Sequence, residues 1–445
     1  QSRSTFLPWY VTGPQPMGKQ KGYRYVRPHC RSPQKSNRGV RRLLSKSLIL
    51  SAWHLFHGTF STFSQKCRQS RRFFLKNAEI VVNIFGMAAE VNRKVKLAAL
   101  LEKKSHFLFG PRQTGKSWLI RHQLAGCKVY DLLRAREFNR LNADPSLLSD
   151  EVWGQDEIVV IDEIQKIPAL LDEVHWLIEN RGVRFLLTGS SARRLKRGSA
   201  NLLGARARVQ SLHPFVSDEL GEAFSLRAAF QRGLIPGIYF SDDPELDLES
   251  YINVYLKEEI AAEGLTRNLP AFGRFLEVAA FCHAEEINFA KVSNDAQVPR
   301  STVQEYFQIL KDTLIGRELP AWKKGSKRKT VQRAKFYLFD FGVVRKLQGL
   351  KEVTPRTPTY GKALESLIFQ EINAYCSYNR ISDFCYWRTY QKQEVDFIID
   401  SQIAVEVKAS SHVDKRDLKG LAKLKEEGRI RNYYLVCLEE KTRVP

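Results

Sequence analysis

His106-Phe107-Leu108-Phe109, then Gly110-Pro111-Arg112-Gln113-Thr114-Gly115-Lys116-Ser117, then Trp118-Leu119-Ile120 is the stretch that decides the fold. The first four residues read as a short buried strand, and Trp118 onward reads as a helix. Between them Gly110 to Ser117 has the spacing G-x-x-x-x-G-K-S. A loop of that kind turns its backbone N–H groups toward phosphate oxygens, and the helix N-terminus adds positive potential. Lys116 would neutralise the charge of the outer phosphates, and Ser117 would offer a hydroxyl to Mg2+. Gly110 to Ser117, with Trp118 beside them, is therefore the expected ATP-binding segment.

Two further strands extend this reading. Ile158-Val159-Val160-Ile161 is a continuous apolar run, as in a central parallel strand covered on both faces. It ends in Asp162-Glu163, at the strand end where open α/β sheets bind their ligands. Asp162 would hold Mg2+ directly or through water, and Glu163 would polarise the attacking water. An ordinary strand with a solvated acidic turn is the lesser reading once the glycine loop is present. A third strand, Val183 to Leu187, ends in Thr188-Gly189-Ser190-Ser191. A polar side chain there could sense the outermost phosphate or orient the water, or the segment is only a turn of small residues. Arg193, Arg194, Arg206 and Arg208 are candidate arginine fingers, a role worth roughly 10³–10⁵ in rate. Arg206 is the first choice, acting in cis or in a neighbouring subunit of a homo-oligomer. Upstream, Glu90 to Lys104 reads as an amphipathic helix.

The chain has 445 residues, 43% hydrophobic and 27% charged, which suits several globular domains. No apolar run approaches the ~20 residues of a membrane-spanning helix. Seven scattered cysteines with no C-x-x-C pair argue against a disulfide scaffold and suit a cytoplasmic setting. The formal net charge is +23, and residues 1–86 carry 16 Lys+Arg against the single acid Glu79. That segment reads as a basic arm for nucleic acid, an organelle-targeting peptide, or sequence foreign to the working protein. Met87-Ala88-Ala89-Glu90, just ahead of patterned sequence, favours the last.

Residues 223–268 are helical in pattern, with Leu248, Ile252, Tyr255 and Leu256 on one face, and read as a lid or connector. Phe289 to Ala296 and Ser301 to Leu310 read as two short helices, the second with a Ser301–Gln304 capping box. Val303, Phe307, Leu310 and Leu314 form one apolar stripe. Ile315 to Trp322 and Phe336 to Phe339 would be wing strands flanking Lys323-Lys324-Gly325-Ser326-Lys327-Arg328-Lys329. A winged helix would place its second helix in a DNA groove and its basic tip 323–329 on phosphates. The competing reading is a packing hairpin with a solvated tip. Tyr360 to Tyr375 then reads as a helix with Glu365 beside its apolar stripe. Two period-2 strands follow, Glu394-Val395-Asp396-Phe397-Ile398-Ile399-Asp400 and Ile403-Ala404-Val405-Glu406-Val407-Lys408. Glu365, Asp396 and Glu406 would converge on Mg2+, with Lys408 positioning the water; a solvated Glu–Lys ladder is the alternative.

G-P-R-Q-T-G-K-S, I-D-E-I-Q-K-I-P and L-L-T-G-S-S-A-R-R-L together resemble the prokaryotic AAA-type ATPases of the archaeal-ATPase-like group, from about Met87 to Cys437. E…(E)VD…ExK resembles the PD-(D/E)XK nuclease core. The resemblance implies an α/β chain: an AAA+ P-loop core with a parallel sheet (87–222), a helical connector (223–268), a winged helix-turn-helix (269–339) and a restriction-endonuclease-like unit (340–445). It also implies Thr188 or Ser190 as sensor. The expected function is ATP hydrolysis coupled to DNA binding, with Mg2+-dependent cleavage open. The rival is a non-catalytic, ATP-regulated binder of nucleic acid or protein with an inert nuclease-like unit. A P-loop kinase ranks third, because Asp162-Glu163 suits water activation better than transfer to a hydroxyl.

Overall fold

The computed structural model describes residues 91–154, 157–190, 203–204, 206–256, 268–323 and 333–439. The basic segment 1–86, Arg193, Arg194 and residues 324–329 of the basic loop lie outside them.

Strands β1 (Ser105–Phe109), β2 (Lys128–Asp131), β3 (Ile158–Asp162), β4 (Arg184–Gly189) and β5 (Ala207–Ser211) form one sheet, in the order β2-β3-β4-β1-β5. Every pairing is parallel. Alternation explains why the central strands are apolar throughout. Phe107, Ile161 and Leu187 enter the core on one face, while Leu108, Val160 and Leu186 enter the core on the other. β4 lies between β1, which feeds the glycine loop, and β3, which carries the acids. The end of β4 is thereby set between loop and acids.

The helix expected over Glu90 to Lys104 is mostly absent from its described part: only Leu97–Leu101 is helical. Residues ahead of it direct their polar groups elsewhere. Lys94 N donates to Glu219 Oε1 at 2.7 Å, Gln123 Nε2 donates to Val95 O at 3.0 Å, and Leu97 N donates to Gln123 Oε1 at 2.7 Å. Tertiary hydrogen bonds replace the first turns of the helix.

Past β5 come short helices at Leu226–Arg232, Pro236–Tyr239 and Pro244–Ser250, then a π-helix at Tyr251–Leu256. Phe341–Leu347, which the sequence reading gave to the C-terminal unit, packs on them. Leu234 N donates to Asp340 Oδ2 at 2.6 Å, Arg345 Nε donates to Gln231 O at 2.8 Å, and Arg345 pairs with Glu245.

Leu269–Phe281 leads to β6 (Glu285–Glu286), the helix pair Phe289–Ala296 and Arg300–Asp312, β7 (Gly316–Leu319) and β8 (Lys335–Leu338). β8 pairs antiparallel with both β6 and β7. Val303, Phe307 and Leu310 are buried, with Phe307 edge-on to Phe275 and Phe336. The Ser301–Gln304 capping box does not form. Pro299 is the N-cap and the helix begins at Arg300, so Ser301 already lies inside the first turn.

The last unit has the long helix Pro358–Tyr378, β9 (Phe384–Arg388), β10 (Glu394–Ile399), β11 (Ile403–Val407), a helix at Lys419–Lys425 and β12 (Asn432–Val436). The sheet order is β12-β11-β10-β9, with only β11 and β12 parallel. The tight β10–β11 connection carries two left-handed residues, Asp400 (φ 50°) and Ser401 (φ 51°). Among the described residues no helix is long and apolar enough to cross a membrane.

Candidate nucleotide site and the C-terminal acidic cluster

The glycine loop joins the end of β1 to the helix Lys116–Gln123. Gly110 has no room for a side chain: a Cβ there would stand 2.4 Å from Leu212 O, where the chain leaves β5. Thr114 and Pro111 are buried beneath the loop, with Thr114 Oγ1 donating to Pro111 O at 2.9 Å. Lys116 Nζ curls over the loop and donates to Gly110 O at 2.7 Å and Pro111 O at 3.1 Å. Ser117 Oγ donates to Asp162 Oδ2 at 3.0 Å, and Thr188 Oγ1 donates to Asp162 Oδ1. Loop, acidic strand and third strand therefore meet at one carboxylate.

Glu163 follows in the left-handed region, φ 63°, which a side chain adopts only at a cost. Gln165 Nε2 donates to its carboxylate and lies 3.5 Å from Ser190 Oγ. Gln165 fits because Gly189 has no side chain: a Cβ there would sit 2.3 Å from Gln165 Oε1. Burial raises the pKa of Glu163 and Asp162 adds to the rise, while Lys116 opposes it. A carboxylate poised above its usual range is suited to taking a proton from water. Of the two candidate sensors, Thr188 touches Asp162, and Ser190 reaches Glu163 only through Gln165.

A cavity of about 600 Å³ opens over this constellation, lined by Arg112, Gln113, Gly115, Lys116, Ser117, Trp118 and Glu163. Its far wall is apolar and comes from three other places in the chain, Val91, Phe215, and Pro236 with Phe240. Tyr251 OH donates to Arg112 O at 3.2 Å, tying the helical segment to the loop. The sequence reading missed that wall and missed Arg93. Arg93, 2% exposed, donates from Nη1 to Thr114 O at 2.7 Å and from Nη2 to His213 O at 2.6 Å, and its Nε lies 3.1 Å from Glu219 Oε1. It braces the loop from below. Nothing in the spacing of a lone arginine announced this.

The structure does not bring Arg206 to the site. Arg206 precedes β5, whose first residue, Ala207, is level with Ser105 at the start of β1. The loop follows the other end of β1, about 13 Å away along the strand. There Arg206 pairs with Glu179 and donates to Gly204 O at 3.3 Å. Arg208, on β5 itself, also sits near the start of that strand.

The residues present fit Mg2+ at the loop: a serine hydroxyl and an aspartate oxygen stand 3.0 Å apart beside the lysine, a set of hard oxygen donors. Ser117 and Asp162 would hold the ion. Bound there, it would neutralise negative charge on the outer phosphates.

The C-terminal cluster has a different centre from the one expected. β10 and β11 do bring Asp396 and Glu406 together, and Val407 N donates to Asp396 Oδ2 at 2.8 Å. Glu406 pairs with Lys408, and its Oε2 is buried with no hydrogen-bond partner among the described residues. Between the acids stands Lys335 of β8, whose Nζ is 2.5 Å from Glu394 Oε1, 3.2 Å from Glu365 Oε1 and 3.9 Å from Asp396 Oδ1. Burial lowers its pKa, but Glu365, Asp396 and Glu394 together outweigh that and hold it above the ordinary lysine range. Burial pushes Glu406 up to about 7, against the pull of Lys408. Among the described residues no group of three His, Cys, Asp or Glu side chains is placed to hold a metal ion. Lys335 thus stands beside two of the three acids expected to hold the cation, Glu365 and Asp396. Nothing in the sequence around Lys335 pointed to this position, since its partners lie on other strands and on the long helix.

Three families match parts of the chain: an AAA domain over residues 102–221, a domain of unknown function (DUF8612) over 224–354, and a second (DUF4143) over 360–444. Two uncharacterized proteins, from Mycobacterium bovis and Mycobacterium tuberculosis, are each 26% identical over 318 residues, 68% of this chain and 70% of theirs. A solved STAND signal-transduction ATPase with a tetratricopeptide repeat sensor, from Pyrococcus horikoshii, is 13% identical with a TM-score of 0.24. That match covers 64% of this chain and 49% of the other. The five-stranded parallel sheet and the loop on β1 agree with the AAA match over 102–221: this part of the chain is similar to an AAA domain with a P-loop.

Proposed function

We propose that the chain is an ATP-hydrolysing switch whose nucleotide state governs DNA contact by the helix pair 289–312. The observation that carries the first half is the convergence of Ser117 and Thr188 on Asp162, with Glu163 next in sequence and Lys116 across the loop. In this reading the phosphates lie along Gly115 to Ser117, and the base lies against Val91, Phe215, Pro236 and Phe240. Glu163 accepts a proton from the attacking water, and Gln165 holds its carboxylate in place. Phosphate release tests this: wild type should turn over, while Glu163→Gln should bind nucleotide and lose roughly 10²–10⁴ in rate. Equal, negligible release from both would leave a nucleotide-regulated binder.

The element order supports the second half. A helix, a short strand, two helices and a two-stranded hairpin follow one another as in a winged helix. Arg300, Ser301, Gln304 and Gln308 are exposed on the second helix, a polar face together with Glu305. Nucleotide state could reach this unit through the contact of Tyr251 with the loop. Replacing Lys323, Lys324, Lys327, Arg328 and Lys329 by alanine should weaken DNA binding and flatten its salt dependence. Unchanged affinity and slope would reject the DNA reading.

A further inference from the structure

Lys335 is 4% exposed, and every polar neighbour of its ammonium named above is a carboxylate. Tyr337, two residues along β8, donates its hydroxyl to Glu365 Oε1 at 2.6 Å. Glu365 and Asp396, the residues that the PD-(D/E)XK resemblance would assign to a divalent cation, are thus engaged from inside the chain by one strand. An ammonium held on these oxygens competes with a divalent cation for them. Their charges would repel at a few ångströms in a buried pocket, and a hard cation needs several oxygens at about 2.0–2.6 Å.

The same strand belongs to a hairpin fixed at its loop end to the C-terminal sheet. Trp322 N donates to Tyr386 O at 2.7 Å, and Tyr386 N donates to Pro320 O at 3.0 Å. Tyr386 OH donates to Arg333 O at 2.6 Å, and Arg388 of β9 pairs with Glu286 of β6 at 2.9 Å. β9, the edge of the C-terminal sheet, is covered by the hairpin.

We propose that Lys335 is the resident cation of this acidic cluster. The C-terminal unit is then a socket that receives β8 and fixes the β7–β8 hairpin, and it is not a metal-dependent nuclease.

The test uses the full chain with Asp162→Asn, so that the nucleotide site does not contribute a metal response, and follows thermal unfolding with and without Mn2+. With Lys335 intact, Mn2+ should shift the midpoint equally whether or not Asp396→Asn is added. Lys335→Ala should lower the midpoint by roughly 10 °C, because it strands buried carboxylates. Mn2+ should restore part of that loss, and adding Asp396→Asn should abolish the rescue. A Mn2+ response with Lys335 intact that disappears with Asp396→Asn overturns the proposal, as does a folded Lys335→Ala protein that gains no response. Should Lys335→Ala fail to fold, the comparison with Lys335 intact still decides.

Discussion

Arg93→Met is the sharpest test of how the loop is supported. The guanidinium lies under the P-loop with its side chain 2% exposed, against a Glu219 side chain that is 0% exposed. Methionine fills most of the volume but removes the charge and both donors. Glu219 would keep only backbone partners, Lys94 N at 2.7 Å and Val216 N at 3.2 Å, and the carbonyls of Thr114 and His213 would lose theirs. Removing one member of a buried pair costs about 3–5 kcal/mol, and each orphaned acceptor about 1–3. Even the low end of that sum, about 5 kcal/mol, is a large share of the roughly 5–15 kcal/mol that holds a domain folded. The midpoint should fall by about 10–15 °C in a thermal scan. Adding Glu219→Gln to Arg93→Met should recover a substantial part, since the stranded charge is then gone. A single variant that loses under about 1 kcal/mol, or a double variant as unstable as the sum of the singles, would refute the reasoning.

Other outcomes follow from the same geometry. Gly189→Ala should displace Gln165 and slow turnover about 10- to 100-fold with ATP affinity nearly unchanged, read as kcat against KM. Because burial raises the pKa of Glu163 and the base must be ionised, hydrolysis should fall off in acid at a higher pH than for an ordinary glutamate, as a pH–rate profile would show. Burial likewise raises Glu371 from 4.5 to about 7, with Ser217 N donating to it at 2.6 Å. Its folded state holds the proton more tightly, so the stability it contributes is complete below about 4.5 and lost as pH rises through 7. Glu371→Gln should therefore raise the unfolding free energy at pH 8 relative to wild type, by up to about 3 kcal/mol, and change little at pH 4, as denaturant titrations would show.

What could be read from sequence was what chain-local chemistry fixes. Ile158 to Ile161 had to be a central strand because nothing polar interrupts it, and Gly110 to Ser117 could announce a phosphate loop because its contacts are made by its own backbone. The β10–β11 pair and the helix Phe289–Ala296 were legible from periodicity. Hidden were contacts whose partners lie far along the chain. Arg93 meets Glu219 across 126 positions, the apolar wall of the nucleotide cavity draws on residues 91, 215, 236 and 240, and Lys335 reaches Glu394 across β8 and β10. The Glu90–Lys104 helix failed for the same reason, since periodicity could not foresee that Glu219 and Gln123 would claim its first turns. Arg206 lies away from the loop of its own chain because sequence nearness to the third strand says nothing about which end of the sheet a residue occupies.

The central claim is that a nucleoside triphosphate with its metal lies between Gly110–Ser117 and Asp162–Glu163. Calorimetric titration of the folded full chain with a non-hydrolysable ATP analogue and Mg2+ tests it directly. Binding to wild type that Lys116→Ala or Asp162→Ala weakens by 10-fold or more is the predicted result. No heat with wild type, or equal affinity in all three proteins, would contradict it.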